Sequence, residues 1–181
     1  YDEINLNLGC PSKTVVSKGR GSGFLADPEG LDRFLDEVFS KTKARISIKT
    51  RIGRDDPEEF ECLLKIYGQY PLEELIIHPR VQKDFYRNRP NLEVFEAAVE
   101  AGGSPLCYNG DICSKEDAEA VERRFPSVPA CMIGRGIIAD PGLLGEITRG
   151  EKRDYSRLCR FHDLVYEEYR SLGMGDRNVL F

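Results

Sequence analysis

Two hydrophobic periods take turns along this chain. In residues 4–8 (Ile-Asn-Leu-Asn-Leu) apolar and polar positions swap at every step, and residues 44–51 do the same around Ile46 and Ile48. A period of two predicts strands. Apolar runs at 75–78, 105–109 and 130–133 predict three more. Between them, apolar residues recur every three or four positions. Leu31, Phe34, Leu35, Val38 and Phe39 mark one face of a helix over 28–42, and Phe60, Leu63, Leu64 and Tyr67 mark one over 57–68. Asp27-Pro28 and Asp56-Pro57 read as their starts, with Asp as N-cap and Pro in the first turn. Helices are also predicted over 92–101 and 115–125, the latter opened by Ser114 with Asp117 completing a weak capping box. A short helix follows Asp140-Pro141 through Leu143, Leu144 and Ile147.

Strands alternating with helices imply parallel strands joined by right-handed crossovers. Two architectures satisfy that, an open doubly wound sheet and a (β/α)₈ barrel. The polar residues favour the barrel. Each predicted strand ends in chemistry at its C-terminal side: Asn7-Gly9-Cys10, Lys49-Arg51, His78-Arg80, Asn109-Gly110-Asp111 and Gly134-Arg135-Gly136. A barrel gathers such ends at one mouth, whereas an open sheet spreads them along an edge. No GxGxxG opens a helix. The expected class is therefore α/β, a partial (β/α)₈ TIM barrel of about the last five β/α units, with about three strands preceding this chain.

After Gly150 the pattern changes. Residues 156–172 form one helical stretch with Leu158, Phe161, Leu164, Val165 and Tyr169 at helical spacing, closed by Gly173-Met174-Gly175. The expected division is a partial catalytic barrel over 1–150 and the truncated start of a helical domain over 151–181. The chain begins within a strand pattern at Tyr1 and stops on the apolar residues 179–181, which reads as a piece of a longer protein.

The 181 residues carry a net charge of −5, which argues against a non-specific nucleic-acid coat. Local charge differs: Arg80, Lys83, Arg87 and Arg89 stand against Asp84, and Arg149, Lys152, Arg153, Arg157 and Arg160 against Glu151 and Asp154. Either patch alone is an ordinary solvated face; together they can meet phosphates. The six cysteines form no CxxC pair or zinc spacing and read as reduced thiols of a cytoplasmic protein. No apolar run approaches the ~18 residues needed to span a bilayer.

A lone cysteine is usually a core residue. Cys10, between Gly9 and Pro11 at a strand exit, is better placed for chemistry. A free thiol titrates near ~8.5 in peptides, so a cysteine here has a proton to give at neutral pH. Lys49 faces the barrel interior if Ile46 and Ile48 face the helices, and an interior cation needs an anionic or electron-rich partner. Gly134-Arg135-Gly136 and Asn109-Gly110-Asp111 occupy consecutive strand ends, where barrels commonly hold a phosphate. Paired glycosidase carboxylates, a Ser-His-Asp set and a metal cluster are not evident. The inventory suits a phosphate-bearing redox cofactor, with Lys49 near a flavin's N1/C2 carbonyl and Cys10 as proton donor.

Taken in order, Asn7-Leu8-Gly9-Cys10-Pro11, Lys49 in a strand ending at Arg51, His78-Pro79-Arg80, Asn109-Gly110-Asp111 and Gly134-Arg135-Gly136 resemble the tRNA-dihydrouridine synthases over essentially the whole chain. The resemblance implies an FMN-dependent barrel followed by a helical domain, using NADPH to reduce a uridine of tRNA to 5,6-dihydrouridine. It makes Cys10 the donor of a proton to C5 of uracil while hydride reaches C6. It assigns flavin contacts to Lys49 and His78, and the ribityl-phosphate end to Asn109, Gly110, Asp111, Gly134 and Arg135. Asn7 and Arg80 would touch the uracil or its surroundings, and Lys18, Arg87 and Arg89 the tRNA backbone. No membrane partner is implied.

This chain departs from the family where Pro79 replaces a usual Gly or Ala. It also lacks the first three strands, whose Pro-Met turn and Gln contact FMN. The isolated chain is therefore expected to be inactive and to self-associate through uncovered sheet edges at 4–8 and 130–133. Two other readings remain open: another FMN barrel, such as a dihydroorotate-dehydrogenase-like oxidoreductase, and a non-catalytic RNA-binding fragment.

Overall fold

The computed structural model describes residues 2–175; Tyr1 and the apolar end at 179–181 lie outside the described residues. Five strands form one parallel sheet: β1 (Glu3–Leu8), β2 (Arg45–Arg51), β3 (Leu75–His78), β4 (Leu106–Tyr108) and β5 (Ala130–Cys131). Their spatial order is β1-β2-β3-β4-β5. A doubly wound sheet reverses direction at a switch point; this one adds each strand beside the last, as a barrel does. The fold is a partial (β/α)₈ barrel.

The helices are α1 (Lys13–Val16), α2 (Pro28–Lys41), α3 (Glu59–Tyr67), α4 (Leu92–Ala101), α5 (Lys115–Arg124), α6 (Arg135–Ala139), α7 (Leu143–Arg149) and α8 (Tyr155–Ser171). The predicted faces of α2 and α3 are the buried ones: Leu31 and Leu35 on α2, and Phe60, Leu63, Ile66 and Tyr67 on α3, cover Ile46, Ile48, Leu75 and Ile77 of the sheet. Thr50, on the same side, is satisfied by the Tyr67 hydroxyl at 2.9 Å. Phe95 of α4 packs edge-on against Tyr108 and Phe125, with ring centroids 5.0 and 4.9 Å away. Such a cluster contributes several kcal/mol; truncating a buried Phe costs ~3–5 kcal/mol.

Local starts differ from expectation in one place. Asp27 caps α2 by accepting from Gly30 N–H at 2.9 Å, and Ser114 caps α5. Asp56 accepts from the Glu58 N–H at 2.9 Å, but the regular helix starts later than expected. Glu59 reaches back and accepts from the N–H groups of Arg54, Asp55 and Asp56, so the helix begins two residues after Pro57. The paired register puts Asn5 beside Ser47, Asn7 beside Lys49, Lys49 beside Ile76, and Ile76 beside Cys107. In-register neighbours of a parallel sheet share a face. Asn5, Asn7, Ser47 and Lys49 therefore line the side away from α2 and α3, as the alternation predicts.

Beyond β5, α6 and α7 are short. Arg153 links the following segment to them: its Nε lies 2.9 Å from Asp140 Oδ2 and 3.1 Å from Glu146 Oε1. The α8 helix has no buried residue; Phe161, Leu164, Tyr169 and Leu172 are exposed. Among the described residues no helix is long and apolar enough to cross a membrane.

Candidate active site

The C-terminal ends of the strands enclose a cavity of about 360 Å³, within the range of small-molecule sites. Cys10, Lys49, His78, Asn109 and Arg135 all line it, as do Asn7, Gly110, Asp111 and Gly134. Arg80 and Lys18 do not. Lys18 is exposed beyond α1, and Arg80 is 2% exposed, beneath the cavity floor.

Asn7 shapes the turn after β1. Its Oδ1 accepts from the N–H groups of Gly9 and Cys10, both at 3.1 Å, which bends the chain off the sheet and leaves the side-chain amide as donor. Gly9 serves close approach, because a Cβ there would stand 3.3 Å from the Thr50 carbonyl carbon. It has no positive φ, so the requirement for glycine here is steric rather than conformational. The Cys10 carbonyl accepts from the Ser22 N–H at 3.0 Å and hydroxyl at 2.9 Å. Gly21, at φ +56, packs against the same oxygen. The thiol of Cys10 is half-buried on a loop held from both sides.

Behind it, Arg51 is 1% exposed. Its guanidinium donates to the carbonyls of Gly9 (3.1 Å), Val81 (2.9 Å) and Phe85 (2.9 Å). One side chain thereby ties the Cys10 turn to the loop after β3. Lys49 has no hydrogen-bond or ion-pair partner among the described residues. Burial, then the charge of Arg51, lowers its pKa from the usual lysine value. It is the unsatisfied cation of the cavity and invites an electron-rich neighbour.

Arg80 makes a dense set of bonds. Its Nε donates to Asn88 O at 2.6 Å, and its Nη1 donates to Asp111 Oδ1 at 2.9 Å and lies 2.9 Å from His78 Nε2. Nη2 completes a bidentate pair with Asp111. Hydrogen bonding by Arg80 holds the Asp111 carboxyl below its usual range against a raising effect of burial. Burial first, then the charges of Arg51, Lys49 and Arg80, push His78 down to about 3. Cys107, on the inner face of β4, is pushed up to about 12 by burial, so it stays a thiol and packs.

At the far end, Asp111 also accepts from Arg135 Nη2 at 2.6 Å. The Arg135 guanidinium lies 4.5 Å from the ring centroid of Tyr86. Gly134, Arg135 and Gly136 open α6, and N–H groups in a first helical turn lack acceptors within the helix. A five-residue helix is too short to show a period, so α6 is not among the helices the sequence predicts. Asn109 Nδ2 donates to Met132 O at 2.8 Å, bracing the two phosphate-side loops against each other and leaving Oδ1 free to accept.

Tyr86 is the residue that sequence reasoning passed over. It stands on the loop after β3 where Phe85 has φ 51, and its ring lies 5.9 Å from that of His78. The available signal was an aromatic side chain within a basic loop at a strand's C-terminal end. Of the basic residues, Arg87 and Arg89 are exposed. In the second patch Arg149 pairs with Glu151, and Arg153 with Asp140 and Glu146, which leaves Lys152, Arg157 and Arg160 as its outward charges.

A partial β/α barrel with a cationic, thiol-bearing cavity at its strand ends has the layout of the barrel enzymes, whose sites lie at that face. Comparison with known sequences narrows this. The sequence model described as "Dihydrouridine synthase (Dus)" matches residues 1–177, and the chain belongs to that family. It is 30% identical over 178 residues to a probable tRNA-dihydrouridine synthase of Staphylococcus epidermidis. It is 29% identical over 175 residues to one of Rickettsia bellii. Both alignments cover 93% of this chain and 53% of the relative. The tRNA-dihydrouridine synthase B of Pseudomonas aeruginosa is 32% identical over 145 residues, 80% of this chain and 43% of that protein. The chain spans about half the length of the curated relatives it matches. These similarities do not favour the dihydroorotate-dehydrogenase-like alternative.

Proposed function

We propose that this chain is the cofactor-bearing part of a cytoplasmic tRNA-dihydrouridine synthase, with residues 1–150 as partial FMN-binding barrel and 151–181 as the beginning of a helical tRNA-binding domain. The observation that carries the reading is the cavity itself: one half-buried thiol, one unpartnered ammonium and one buried histidine face a common space, with Arg135 and a turn of open N–H groups at its other end.

The residues fit FMN. Lys49 would meet the electron-rich edge of the flavin and His78 would hold the same ring. Asn109, Gly110, Gly134 and Arg135 hold the ribityl-phosphate end. Asp111 acts there by orienting Arg135, since a carboxylate repels a phosphate. FMN held there would supply the hydride for C6 of uracil, with NADPH as its reductant. Cys10 Sγ–H gives the proton that C5 needs, and the thiolate left behind regains a proton from solvent; uridine and NADPH are thereby converted to dihydrouridine and NADP⁺. The Asn7 amide donates to the uracil carbonyls. Arg80 supports the site from beneath. Lys18, Arg87 and Arg89 face outward for the tRNA backbone, with Lys152, Arg157 and Arg160 beside them on the helical side.

The test uses the protein that carries this chain at the length of its relatives, with FMN, NADPH and unmodified tRNA. Dihydrouridine forms, and Cys10→Ala abolishes it while NADPH still bleaches the flavin. Undiminished dihydrouridine in that variant removes Cys10 from the reaction; no FMN uptake at all removes the reading.

A further inference from the structure

His78 Nε2 lies 2.9 Å from Arg80 Nη1. A guanidinium has donors and no acceptor, and it stays protonated in proteins. The imidazole nitrogen facing it must therefore be the bare one. Turning the ring over would set Cε1–H against the Arg80 N–H, where nothing accepts. Arg80 cannot swing away to relieve this constraint. Its second Nη1 hydrogen goes to Asp111 Oδ1, Nη2 pairs with the other Asp111 oxygen, and Nε is fixed on Asn88 O. With Arg80 2% and His78 6% exposed, water does not compete for either group.

We infer that Arg80, anchored by Asp111, holds His78 as the neutral Nδ1–H tautomer, which makes His78 a fixed hydrogen-bond donor to the cavity and Arg80 a positioning residue beneath it. The ring lines the cavity, and Nδ1 has no partner among the described residues. The charged groups around the ring are Lys49 and Arg51 from β2, Arg80 from the loop after β3 and Asp111 from the loop after β4. Three cations against one carboxylate oppose a second ring proton. The chemical consequence is selective. A ligand atom opposite His78 must be an acceptor, such as a carbonyl oxygen or an unprotonated ring nitrogen, and a ligand N–H there would be left unmatched. His78 also cannot shuttle protons near neutral pH. The bearing on the flavin rests on the function proposed above; the tautomer does not.

The chain has two histidines, so a long-range ¹H–¹⁵N spectrum of ring-labelled protein resolves both, and His162→Gln on exposed α8 assigns them. His78 is expected to show the Nδ1–H pattern unchanged from pH 8 to pH 5. A charged ring at pH 6, or the Nε2–H tautomer, in the unaltered chain overturns the inference whether or not any site variant folds. Arg80→Met is expected to release the ring to the Nε2–H form and to bring a titration into the pH 5–7 range. A folded Arg80→Met chain that keeps the Nδ1–H pattern overturns the role given to Arg80. FMN titration is read separately, on the protein that carries this chain at the length of its relatives: failure to bind flavin there, with the tautomer intact, counts against the proposed function and leaves this inference standing.

Discussion

Arg51→Met should loosen the site more than any change at its rim. The unaltered guanidinium bonds three carbonyls that belong to two separate loops. A methionine of similar reach fills the space but donates nothing. Gly9 and Val81 are buried, whereas Phe85 is 37% exposed and its carbonyl can recruit water. The Val81 carbonyl keeps the Asp84 N–H at 3.3 Å, but the Gly9 carbonyl is left dry, at ~1–3 kcal/mol, and the two loops lose their tie. Releasing a cation that burial disfavours offsets part of this, and a net loss of about 2 kcal/mol is expected. Urea unfolding followed by far-ultraviolet circular dichroism reads it. With an m-value of about 2 kcal/mol/M for a domain of this size, the midpoint falls by about 1 M. The loop over 79–91 should also become open to protease in the variant before global unfolding, because Arg51 is its tie to the Cys10 turn. A variant within about 1 kcal/mol of the unaltered chain, with that loop still resistant, would refute the idea that Arg51 holds the two loops together.

Acid should destabilise the chain through His78. Its pKa is about 3 folded against an ordinary 6.5, so the unfolded chain binds the extra proton first, and stability present above pH 6.5 is lost on the way down toward pH 3, by up to about 1.4 kcal/mol per unit. His78→Gln should flatten the decline between pH 6.5 and 4.5; equal slopes for both proteins argue against a neutral His78. Gly21→Ala puts a Cβ 2.6 Å from the Cys10 carbonyl at φ +56, and a loss of ~2–3 kcal/mol in urea is expected, with a loss under about 0.5 kcal/mol counting against a fixed Cys10 loop. The uncovered edges β1 and β5, with Ile4 45% exposed, should drive self-association, and light scattering that finds only monomer would count against it.

The strands and the inner face of β2 were legible because a period of two leaves little choice: Ile46 and Ile48 must go to the helices, and Lys49 follows to the other side. The meeting of Cys10, Lys49, His78, Asn109 and Arg135 was legible for the same topological reason. What escaped depends on contacts distant in sequence. Asp56 opens the turn at Pro57 as its pattern advertises, but Glu59 reaches back to three N–H groups of the loop before it, which no local pattern shows. Arg80 reads as a free cation until the loop after β4 brings Asp111 against it, 31 residues further along. Gly9 looks like a turn residue until Thr50 is found pressed against it.

Asp111 stands between two guanidiniums, gripping the buried one with both oxygens and the outer one with a single bond. The inner grip is permanent; the outer one is negotiable. A newcomer at Arg135 meets a guanidinium already partly neutralised, with its other N–H donors still open, so neutral molecules gain little at this end and doubly charged ones gain more. The mouth of the barrel thus filters by valence before shape is consulted, and added salt should blunt that filter.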